Sequence, residues 1–378
     1  MTKYVIIIFL ISMVCISSCT KEIEDNQNIS YDYTLEAVDT ISIELDSTTS
    51  PKIEAIRYLE NSAELALLNK STYQIILYDL NSGKQIKKIT FMSEGEDGIP
   101  SGIKGMYYYS EDSIFISNGY SIFLCNSLGK VLHKYSLNAE NISYSFQVFF
   151  LTQDQPFIKN DSLICAIYAD LPSLSLSAFR NKVASVFALN LKNGKGKCIA
   201  FYPSDYEKGL YGNNYTYTFL TTNPDKSIIY SYPVGDYIYK GGGEKIFAKS
   251  KYIDKITPAN TIEDNPMGHT SFFVTSPSYG PIYYDKYQNM YVRVAEMPRS
   301  KEDFINKKWW KKKTLILLDE KLKIIGEVQV ENDYLNVYQC FSTPDGFYIT
   351  LGSNKDENKK SFIGFKLKRI VDEKNTHN

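Results

Sequence analysis

The stretch Ile76-Leu77-Tyr78-Asp79-Leu80-Asn81-Ser82-Gly83-Lys84 carries the signal that decides the fold. A run of strand-forming residues leads directly into a turn whose Asn, Ser and Gly favour the tight backbone conformations of a hairpin. The same arrangement returns along the chain. Turns of this kind follow apolar runs at Ser127-Leu128-Gly129-Lys130, Asn193-Gly194-Lys195, Gly241-Gly242-Gly243 and residues 319–323. The chain therefore contains a series of hairpins.

A second series of turns alternates with the first. Its members carry acidic or amide residues between two apolar runs, lie 49 to 64 residues apart, and occupy residues 60–62, 111–113, 160–162, 224–226, 285–289 and 344–346. Two hairpins in each repeat require four strands in each repeat. Six such repeats predict an all-β protein, a six-bladed β-propeller of four-stranded antiparallel blades. The predicted blades are residues 53–91, 104–137, 146–202, 216–252, 279–330, and 336–368 completed by 38–45.

The last repeat lacks its fourth strand, because the chain ends soon after Phe362-Ile363-Gly364-Phe365. The segment Thr40-Ile41-Ser42-Ile43-Glu44-Leu45 alternates polar and apolar residues and precedes the first repeat. Pairing this N-terminal strand beside residues 361–368 would close the ring and cover both sheet edges. The alternative architecture is an open sandwich or two separate β-domains, which would leave those edges unpaired.

The N-terminus has the order of a bacterial lipoprotein leader. Lys3 provides a positive start, residues 4–16 form an apolar run too short to span a bilayer as a helix, and two serines precede Cys19. This order resembles a lipobox, so we predict a signal peptide at residues 1–18 and lipidation of Cys19. The alternative is an ordinary leader that is cleaved at the serines, with Cys19 incidental.

The remaining predicted boundaries are a lipidated tether at 19–37, the propeller at 38–370 and a polar C-terminal tail at 371–378. Two or three acyl chains anchor a protein stably, so the membrane contact is predicted to be the N-terminal lipid. Acidic residues within 21–25 resemble the signal that sends Bacteroidota lipoproteins to the cell surface. The predicted location is the outer membrane, with surface exposure favoured over the periplasm-facing leaflet.

Composition supports a sheet protein that does not bind nucleic acid. The chain has 31 Tyr and 20 Phe against 2 Trp, and aromatic residues of this kind favour half-buried sheet faces. A net charge of −1 gives no electrostatic basis for nucleic-acid binding. We expect a monomer. Four cysteines lie in apolar runs and are expected to be buried free thiols, although an exported protein also permits disulfides; they are Cys125, Cys165, Cys198 and Cys340.

Connections differ in length on the two sides of the predicted ring. Turns that join the first to the second strand and the third to the fourth strand of a blade lie on one face and are short. The other face, called here the long-loop face, carries residues 92–103, 169–183, 203–215, 253–278 and 296–312. Binding residues concentrate in long connections. We therefore predict ligand binding on the long-loop face, around the mouth of the central channel.

The strongest candidate on that face is the segment 300–313. Ser300 and Asp303 have the spacing of a capping box, which predicts a short helix. The segment ends in Lys307-Lys308-Trp309-Trp310-Lys311-Lys312-Lys313 and contains the only two tryptophans, Trp309 and Trp310. Adjacent aromatic rings can stack on a sugar or dock a partner, and the lysines can bind anionic groups. The alternative is that one Trp packs on the propeller and the lysines are solvated.

Three other places carry candidate ligand-binding residues. His269 lies in a long link and is either a ligand contact or an ordinary surface residue. Glu96 and Asp97 lie in an acidic, glycine-containing loop that could hold calcium, although its spacing fits no EF-hand. Arg293 ends a strand, where a buried charge needs a partner such as Asp285 or a ligand carboxylate. A structural ion pair is the simpler interpretation of Arg293.

The stretch Tyr279-Gly280-Pro281-Ile282-Tyr283-Tyr284-Asp285-Lys286-Tyr287-Gln288-Asn289-Met290-Tyr291-Val292-Arg293 combines a Tyr-Asp turn, an Asn and an Arg that closes the second strand. In these features and in its leader, the chain resembles the six-bladed β-propeller lipoproteins of Bacteroidota that are grouped as a family of unknown function. The resemblance extends over the mature chain and is most specific in this stretch. It implies a fold and a location, and it implies no particular activity.

The sequence lacks His-Glu-x-x-His, Gly-x-Ser-x-Gly, a phosphate-binding glycine loop and a dinucleotide fingerprint. It therefore predicts no cofactor and no metal, with calcium at the acidic loop as the alternative. The leading hypothesis is a non-catalytic binding or scaffold module for a protein or glycan. One alternative is a polysaccharide hydrolase or lyase with carboxylates from different blades, which requires a carboxylate pair in a pocket at the channel mouth. The other is an extracytoplasmic sensor domain.

Overall fold

The described residues form five sheets in a β-propeller arrangement. The computed structural model describes residues 29, 31–50, 55–150, 152–169, 182–263, 265–330, 334–352 and 356–371. The predicted signal peptide, Cys19 and most of the polar C-terminal tail lie outside these ranges.

Four of the sheets have the size of a propeller blade. Three of them have four strands in chain order: β2 (Ala55–Leu59), β3 (Glu64–Asn69), β4 (Gln74–Asp79) and β5 (Gln85–Thr90); β6 (Gly105–Ser110), β7 (Ser113–Ser117), β8 (Ser121–Cys125) and β9 (Val131–Ser136); β15 (Phe219–Thr222), β16 (Ile228–Ser231), β17 (Tyr237–Lys240) and β18 (Glu244–Phe247). The fourth contains β10 (Phe146–Val148), β11 (Phe157–Lys159), β12 (Ser162–Ala169), β13 (Ala184–Asn190) and β14 (Gly196–Phe201), and both β10 and β11 pair with β12. Antiparallel pairing of neighbouring strands accounts for all four.

The fifth sheet has eight strands, and it corrects the predicted blade count. Its order is β19 (Ser278–Asp285), β20 (Met290–Met297), β21 (Lys312–Leu318), β22 (Ile324–Val330), β1 (Tyr33–Glu44), β25 (Lys359–Arg369), β24 (Gly346–Leu351) and β23 (Leu335–Thr343). The prediction of six separate four-stranded blades was wrong. The described strands form four blade-sized sheets and this larger sheet, in which strands assigned to two predicted blades are joined through β1.

The length of β1 explains the larger sheet. β1 pairs with β25 from Tyr33↔Arg369 to Glu44↔Lys359, so the segment 40–45 does lie beside the last strand of the chain. However, β1 begins at Tyr33, inside the predicted tether, and there it also pairs in parallel with Gly326 of β22. Glycine permits this approach, because a Cβ at Gly326 would lie 2.1 Å from the Tyr33 carbonyl oxygen. The N-terminal strand therefore joins two sets of strands.

The hairpin turn after β4 also packs against β1. Asp79 Oδ1 accepts a hydrogen bond from the Ser82 amide at 2.7 Å, which is the local bond that an Asp at this position is expected to make. Gly83 has a φ of 68° and its carbonyl accepts from the Glu44 amide at 2.9 Å. A Cβ on Gly83 would lie 2.4 Å from the Ser42 carbonyl oxygen. The glycine is therefore required both by the turn and by its contact with β1.

Tyrosine forms much of the core around β15–β18. Tyr206 and Tyr215 are fully buried, and their hydroxyls donate to the carbonyls of Tyr215 and Pro277 at 2.6 and 2.7 Å. These bonds satisfy the polar end of each ring, so tyrosine can replace phenylalanine inside. The four cysteines of the strands are buried and free, which confirms the predicted thiols.

In the described residues, two α-helices lie in the long connections around β19 and β20. Helix α1 (Pro266–Thr275) begins after Asn265, whose side chain accepts from the Gly268 amide at 2.8 Å. Helix α2 (Lys301–Ile305) begins after Ser300, whose side chain accepts from the Asp303 amide at 3.0 Å, which confirms the predicted cap. Short 3-10 helices occupy Lys70–Thr72, Ser204–Lys208, Asn213–Tyr215 and Gly241–Gly243. Within the described ranges, no helix combines the length and apolar character needed to cross a membrane.

Residues 152–156, called here the channel loop, lie between β10 and β11, the two strands that both pair with β12. Arg57 of β2 donates to the Gln153 carbonyl at 2.6 Å. On other sheets, Thr221 of β15 and the Tyr284 amide of β19 donate to Asp154 Oδ2 at 2.6 and 2.9 Å. The channel loop therefore forms hydrogen bonds with residues of three other sheets.

Candidate functional site

A cavity of about 140 Å³ opens where β20 ends and where β21 and β23 begin, on the long-loop face. We call it the tryptophan–lysine pocket. It is lined by Phe273, Glu296, Trp309, Trp310, Lys311, Lys313 and residues 335–338. The pocket thus contains both predicted tryptophans, together with charged residues from two neighbouring strands.

Lys311 lines this pocket and is only 2% exposed. Its ammonium donates to Ser278 Oγ at 2.6 Å, lies 3.7 Å from Glu296 Oε2 and stands 4.2 Å from the centre of the Phe273 ring. Burial lowers the pKa of Lys311 to about 8; Glu296 opposes this shift, while the nearby charge of Lys313 adds to it. The pocket therefore contains a strongly desolvated cation.

Lys313 lies two residues further along β21 and is 4% exposed. Its Nζ donates to the Lys311 carbonyl at 3.0 Å and lies 5.5 Å from the centre of the Trp310 ring. Lys312 between them is exposed, as expected when side chains alternate along a strand. Two of the three consecutive lysines are therefore buried at the pocket.

The two tryptophans have different environments. Trp309 is 41% exposed, stacks on Phe304 with ring centres 5.8 Å apart, and donates its indole N–H to the Phe304 carbonyl at 3.0 Å. Trp310 is 52% exposed. Arg299 Nε donates to the Trp310 carbonyl at 2.6 Å, which fixes the backbone and leaves the ring accessible. Trp309 therefore stabilises α2, and Trp310 is the ring available for a ligand.

Arg293 is fully buried but does not pair with Asp285, so the expected ion pair was wrong. Arg293 lies opposite Ile282 in the β19–β20 register, whereas Asp285 lies opposite Met290. The guanidinium lies 3.7 Å from the centre of the Tyr279 ring. Its hydrogen bonds, at 2.8 to 3.5 Å, go to Ser231 Oγ and to the carbonyls of Tyr232, Gly235, Tyr237 and Ala248.

The Arg293 charge is strongly desolvated. Burial lowers the pKa of Arg293 to about 10, and nearby Tyr279, Asp236 and Tyr239 oppose the shift. Because backbone carbonyls surround the guanidinium, the side chain links β20 to β16–β18. Arg293 is therefore a structural residue, away from the tryptophan–lysine pocket.

Asp285 ends β19 and Asp154 lies in the channel loop. Asp285 accepts from the Tyr287 amide at 3.0 Å and from Gln288 Nε2 at 2.7 Å, and burial raises its pKa. Burial also raises the pKa of Asp154 to about 6, opposed first by its bond from Thr221. Neither residue lines the tryptophan–lysine pocket. Among the described residues that do line it, Glu296 alone carries a carboxylate.

His269 and the acidic loop also lie apart from the pocket. His269 is on α1, where its Nδ1 accepts from the Asn213 amide at 3.4 Å and therefore helps to hold a neighbouring loop. Glu96 is exposed and Asp97 is half-buried, in a turn bracketed by the bridge between Met92 and Gly98. In the described part of the chain, no group of three or more His, Cys, Asp or Glu residues is arranged to hold a metal ion.

The sequence predicted that Trp309 and Trp310 lie together on the long-loop face. It did not single out Glu296, Lys311 and Lys313, which also line the pocket. Strand alternation was the available signal, since it separates Lys312 from the lysines on either side. Glu296 gave no local signal, because it reaches the pocket only through pairing of β20 with β21, where it lies opposite Lys313.

The fold and this pocket define a β-propeller with a small polar and aromatic cavity on the face that carries its long connections. The chain belongs to the family described as a domain of unknown function (DUF4221), whose model matches residues 32–329. This agrees with the resemblance to a family of unknown function, while the six-bladed description is not retained. A comparison with curated proteins finds no match.

Two of the solved structures with a similar fold come from Bacteroides species. A DUF4221 member from Bacteroides vulgatus ATCC 8482 is 22% identical, with a TM-score of 0.76, and the match covers 90% of this chain and 100% of that one. A protein from Bacteroides fragilis NCTC 9343 is 12% identical, with a TM-score of 0.56, and the match covers 90% and 98% of the two chains. At these identities, the likeness shows the fold alone.

Proposed function

We propose that this protein is a non-catalytic binding module that captures a glycan in the tryptophan–lysine pocket while a lipid on Cys19 holds it at the outer membrane. One observation carries the binding proposal: the exposed Trp310 ring and the buried Lys311 line the same cavity. A flat apolar ring beside fixed polar groups suits a sugar, which presents an apolar face and polar edges.

The same geometry favours binding over catalysis. Hydrolysis of a glycosidic bond by the usual acid–base route needs two carboxyl groups that flank the bond. Glu296 is the one carboxylate among the described pocket residues, and it is engaged by Ser278 at 3.0 Å and by Lys311 at 3.7 Å. Asp154 and Asp285 lie outside the pocket and accept hydrogen bonds from Thr221 and Gln288.

A glycan array tests the binding proposal. The full chain, purified in detergent, is expected to retain a subset of glycans, and Trp310→Ala is expected to reduce that retention at least about tenfold. Tyr109→Ala is the matched control, because Tyr109 is an exposed aromatic residue at the end of β6, away from the pocket. Equal retention by wild type and Trp310→Ala, or retention of no glycan, would contradict the proposal.

The anchor is tested separately. Cys19→Ala is expected to move the protein from the membrane pellet to the soluble fraction, because two or three acyl chains are needed for stable attachment. Cys15→Ala is the control, since Val14 before it is not a small residue, and it is expected to remain in the pellet. Pelleting of Cys19→Ala at the wild-type level would show that another feature attaches the protein. Protease treatment of whole cells would then distinguish surface exposure from the periplasm-facing leaflet.

A further inference from the structure

We infer that the tryptophan–lysine pocket selects neutral hexoses, by holding the hydroxymethyl group of one sugar between the ammonium of Lys311 and the carboxylate of Glu296. This inference rests on the proposed glycan-binding function and adds the chemical class of the ligand.

Lys311 and Glu296 form a pair of opposite charges at the pocket. Both side chains line the cavity, and the two residues are 2% and 4% exposed. Lys311 Nζ lies 3.7 Å from Glu296 Oε2, which is longer than a hydrogen bond. Because the two charges balance each other, the pair needs no ion of either sign to complete it.

Ser278 contacts both members of this pair. Its Oγ accepts a hydrogen bond from Lys311 Nζ at 2.6 Å and donates one to Glu296 Oε2 at 3.0 Å. An ammonium has three donors, and a carboxylate can accept roughly four hydrogen bonds. The single hydroxyl of Ser278 therefore leaves Lys311 able to donate to one more group and Glu296 able to accept from it.

A hydroxyl is the group that matches such a pair, because its oxygen accepts and its hydrogen donates. Its oxygen can lie about 2.8 Å from both atoms, since the 3.7 Å between Lys311 Nζ and Glu296 Oε2 is less than twice that distance. A carboxylate or sulfate only accepts and would place a like charge beside Glu296, and an ammonium would do the same beside Lys311. The pair therefore favours an uncharged hydroxyl over a charged substituent.

The size of the cavity determines which hydroxyl reaches the pair. At about 140 Å³ the cavity is smaller than the sites of drug-sized ligands, which span roughly 300–1,000 Å³. It can accept a projecting group and part of one ring. The hydroxymethyl group projects furthest from the ring of a hexose, so it is the group that reaches two buried side chains. Trp310 lines the same cavity, is 52% exposed and can stack on the ring.

Calorimetry with matched tetrasaccharides tests the inference, using the full chain in detergent. The neutral probes are β-1,4-linked tetramers of glucose, mannose and galactose. The acidic probes are the same three tetramers oxidised at C6, which converts each hydroxymethyl group to a carboxylate. We expect at least one neutral tetramer to bind, and its oxidised counterpart to bind at least about tenfold more weakly, because a site built around a hydroxyl rejects a ligand that lacks it.

Two variants locate the effect at the pair. Glu296→Gln keeps the shape of the side chain and removes its charge, so the oxidised tetramer is expected to gain at least about tenfold in affinity relative to the neutral one. Lys311→Met removes the donor to the hydroxyl and is expected to weaken binding of the neutral tetramer about tenfold or more. Glu302→Gln is the matched control, because Glu302 is an exposed glutamate on α2, and it is expected to keep the wild-type preference.

The outcomes separate this inference from the proposed function. Equal or tighter binding of the oxidised tetramer in all three pairs, or a wild-type preference in Glu296→Gln, would overturn the inference and leave glycan binding intact. Retention on the array of glycans that contain no neutral hexose would do the same. If Glu296→Gln does not fold, the comparison of probes on wild type still decides. Failure to bind any glycan, on the array and in calorimetry, would instead overturn the proposed function and this inference with it.

Discussion

Arg293 on β20 and Lys311 just before β21 are two buried cations in the same sheet, and their surroundings differ. Arg293 donates to one hydroxyl and four carbonyls and lies 3.7 Å from the Tyr279 ring centre. Lys311 has one hydrogen bond to Ser278 and a carboxylate at 3.7 Å, and it faces a cavity. One cation is fully surrounded by acceptors, and the other is not.

This difference separates a structural charge from a functional one. Both residues have a pKa that burial lowers, so a perturbed pKa alone does not distinguish them. The distinguishing property is whether donors and acceptors are already matched. A matched group is needed for folding, whereas a group that remains partly unmatched beside a cavity can be completed by a ligand. Substitutions at the two positions should therefore affect different measurements.

The largest effect on stability is expected for Arg293→Met. The change leaves the carbonyls of Gly235, Tyr237 and Ala248 without the donors they have now. Each buried unsatisfied group costs about 1–3 kcal/mol, so the free energy of unfolding should fall by about 3–5 kcal/mol or more. Urea denaturation measures the free energy of unfolding, and Lys312→Met is the control. A loss below about 1 kcal/mol would show that Arg293 is not the structural link described above.

Lys311→Met is expected to have a smaller effect on stability, a loss of about 1–2 kcal/mol at pH 7. Methionine removes a desolvated charge, and Glu296 keeps its hydrogen bond from Ser278. The same urea experiment measures this. If Lys311→Met lowered the free energy of unfolding as much as Arg293→Met, both cations would be needed for folding and the distinction between them would not hold.

The pH dependence of stability should sharpen the comparison further. The pKa of Lys311 falls from 10.5 to about 8 in the folded protein, so between these values the unfolded state binds more protons. Stability then rises with pH, and the contribution of Lys311 should rise from about pH 8 upward. We expect wild type to gain stability relative to Lys311→Met between pH 8 and about 9.5. A constant difference over this window would mean that Lys311 is not desolvated.

Some of the structural features described above could be predicted from the sequence, and others could not. The hairpin turn at Gly83 and the cap at Ser300 depend on neighbours in sequence, and both were predicted. The joining of sheets through Tyr33 and Gly326 depends on a parallel contact between residues nearly 300 positions apart, so the blade count was wrong. Local sequence patterns predict turns and helix caps well, but they do not predict which sheet edges pair.

In the candidate site, too, local features could be predicted from the sequence and long-range contacts could not. Trp309 and Trp310 are conspicuous in sequence, and they were placed correctly on one connection. The hydrogen-bond partners of Arg293 come from five positions between Ser231 and Ala248. The packing of neighbouring sheets brings them to Arg293, so Asp285 was a reasonable but incorrect choice. The channel loop likewise contacts β2, β15 and β19, and no spacing in the sequence predicts these contacts.

The smallest effects on stability are expected at the two tryptophans. Trp309 and Trp310 are neighbours in sequence, and they allow a second comparison between a structural residue and a proposed ligand-binding residue. Trp309→Ala removes the stacking on Phe304 and the indole hydrogen bond, so it should cost about 0.5–1.5 kcal/mol and increase amide exchange in α2. Trp310→Ala should change the unfolding free energy by less than about 0.5 kcal/mol, because its ring is exposed, and it should weaken glycan binding most. Hydrogen exchange and calorimetry measure the two outcomes. If Trp310→Ala increased exchange in α2 as much as Trp309→Ala, its ring would be part of the scaffold, and the pocket would lose its stacking surface.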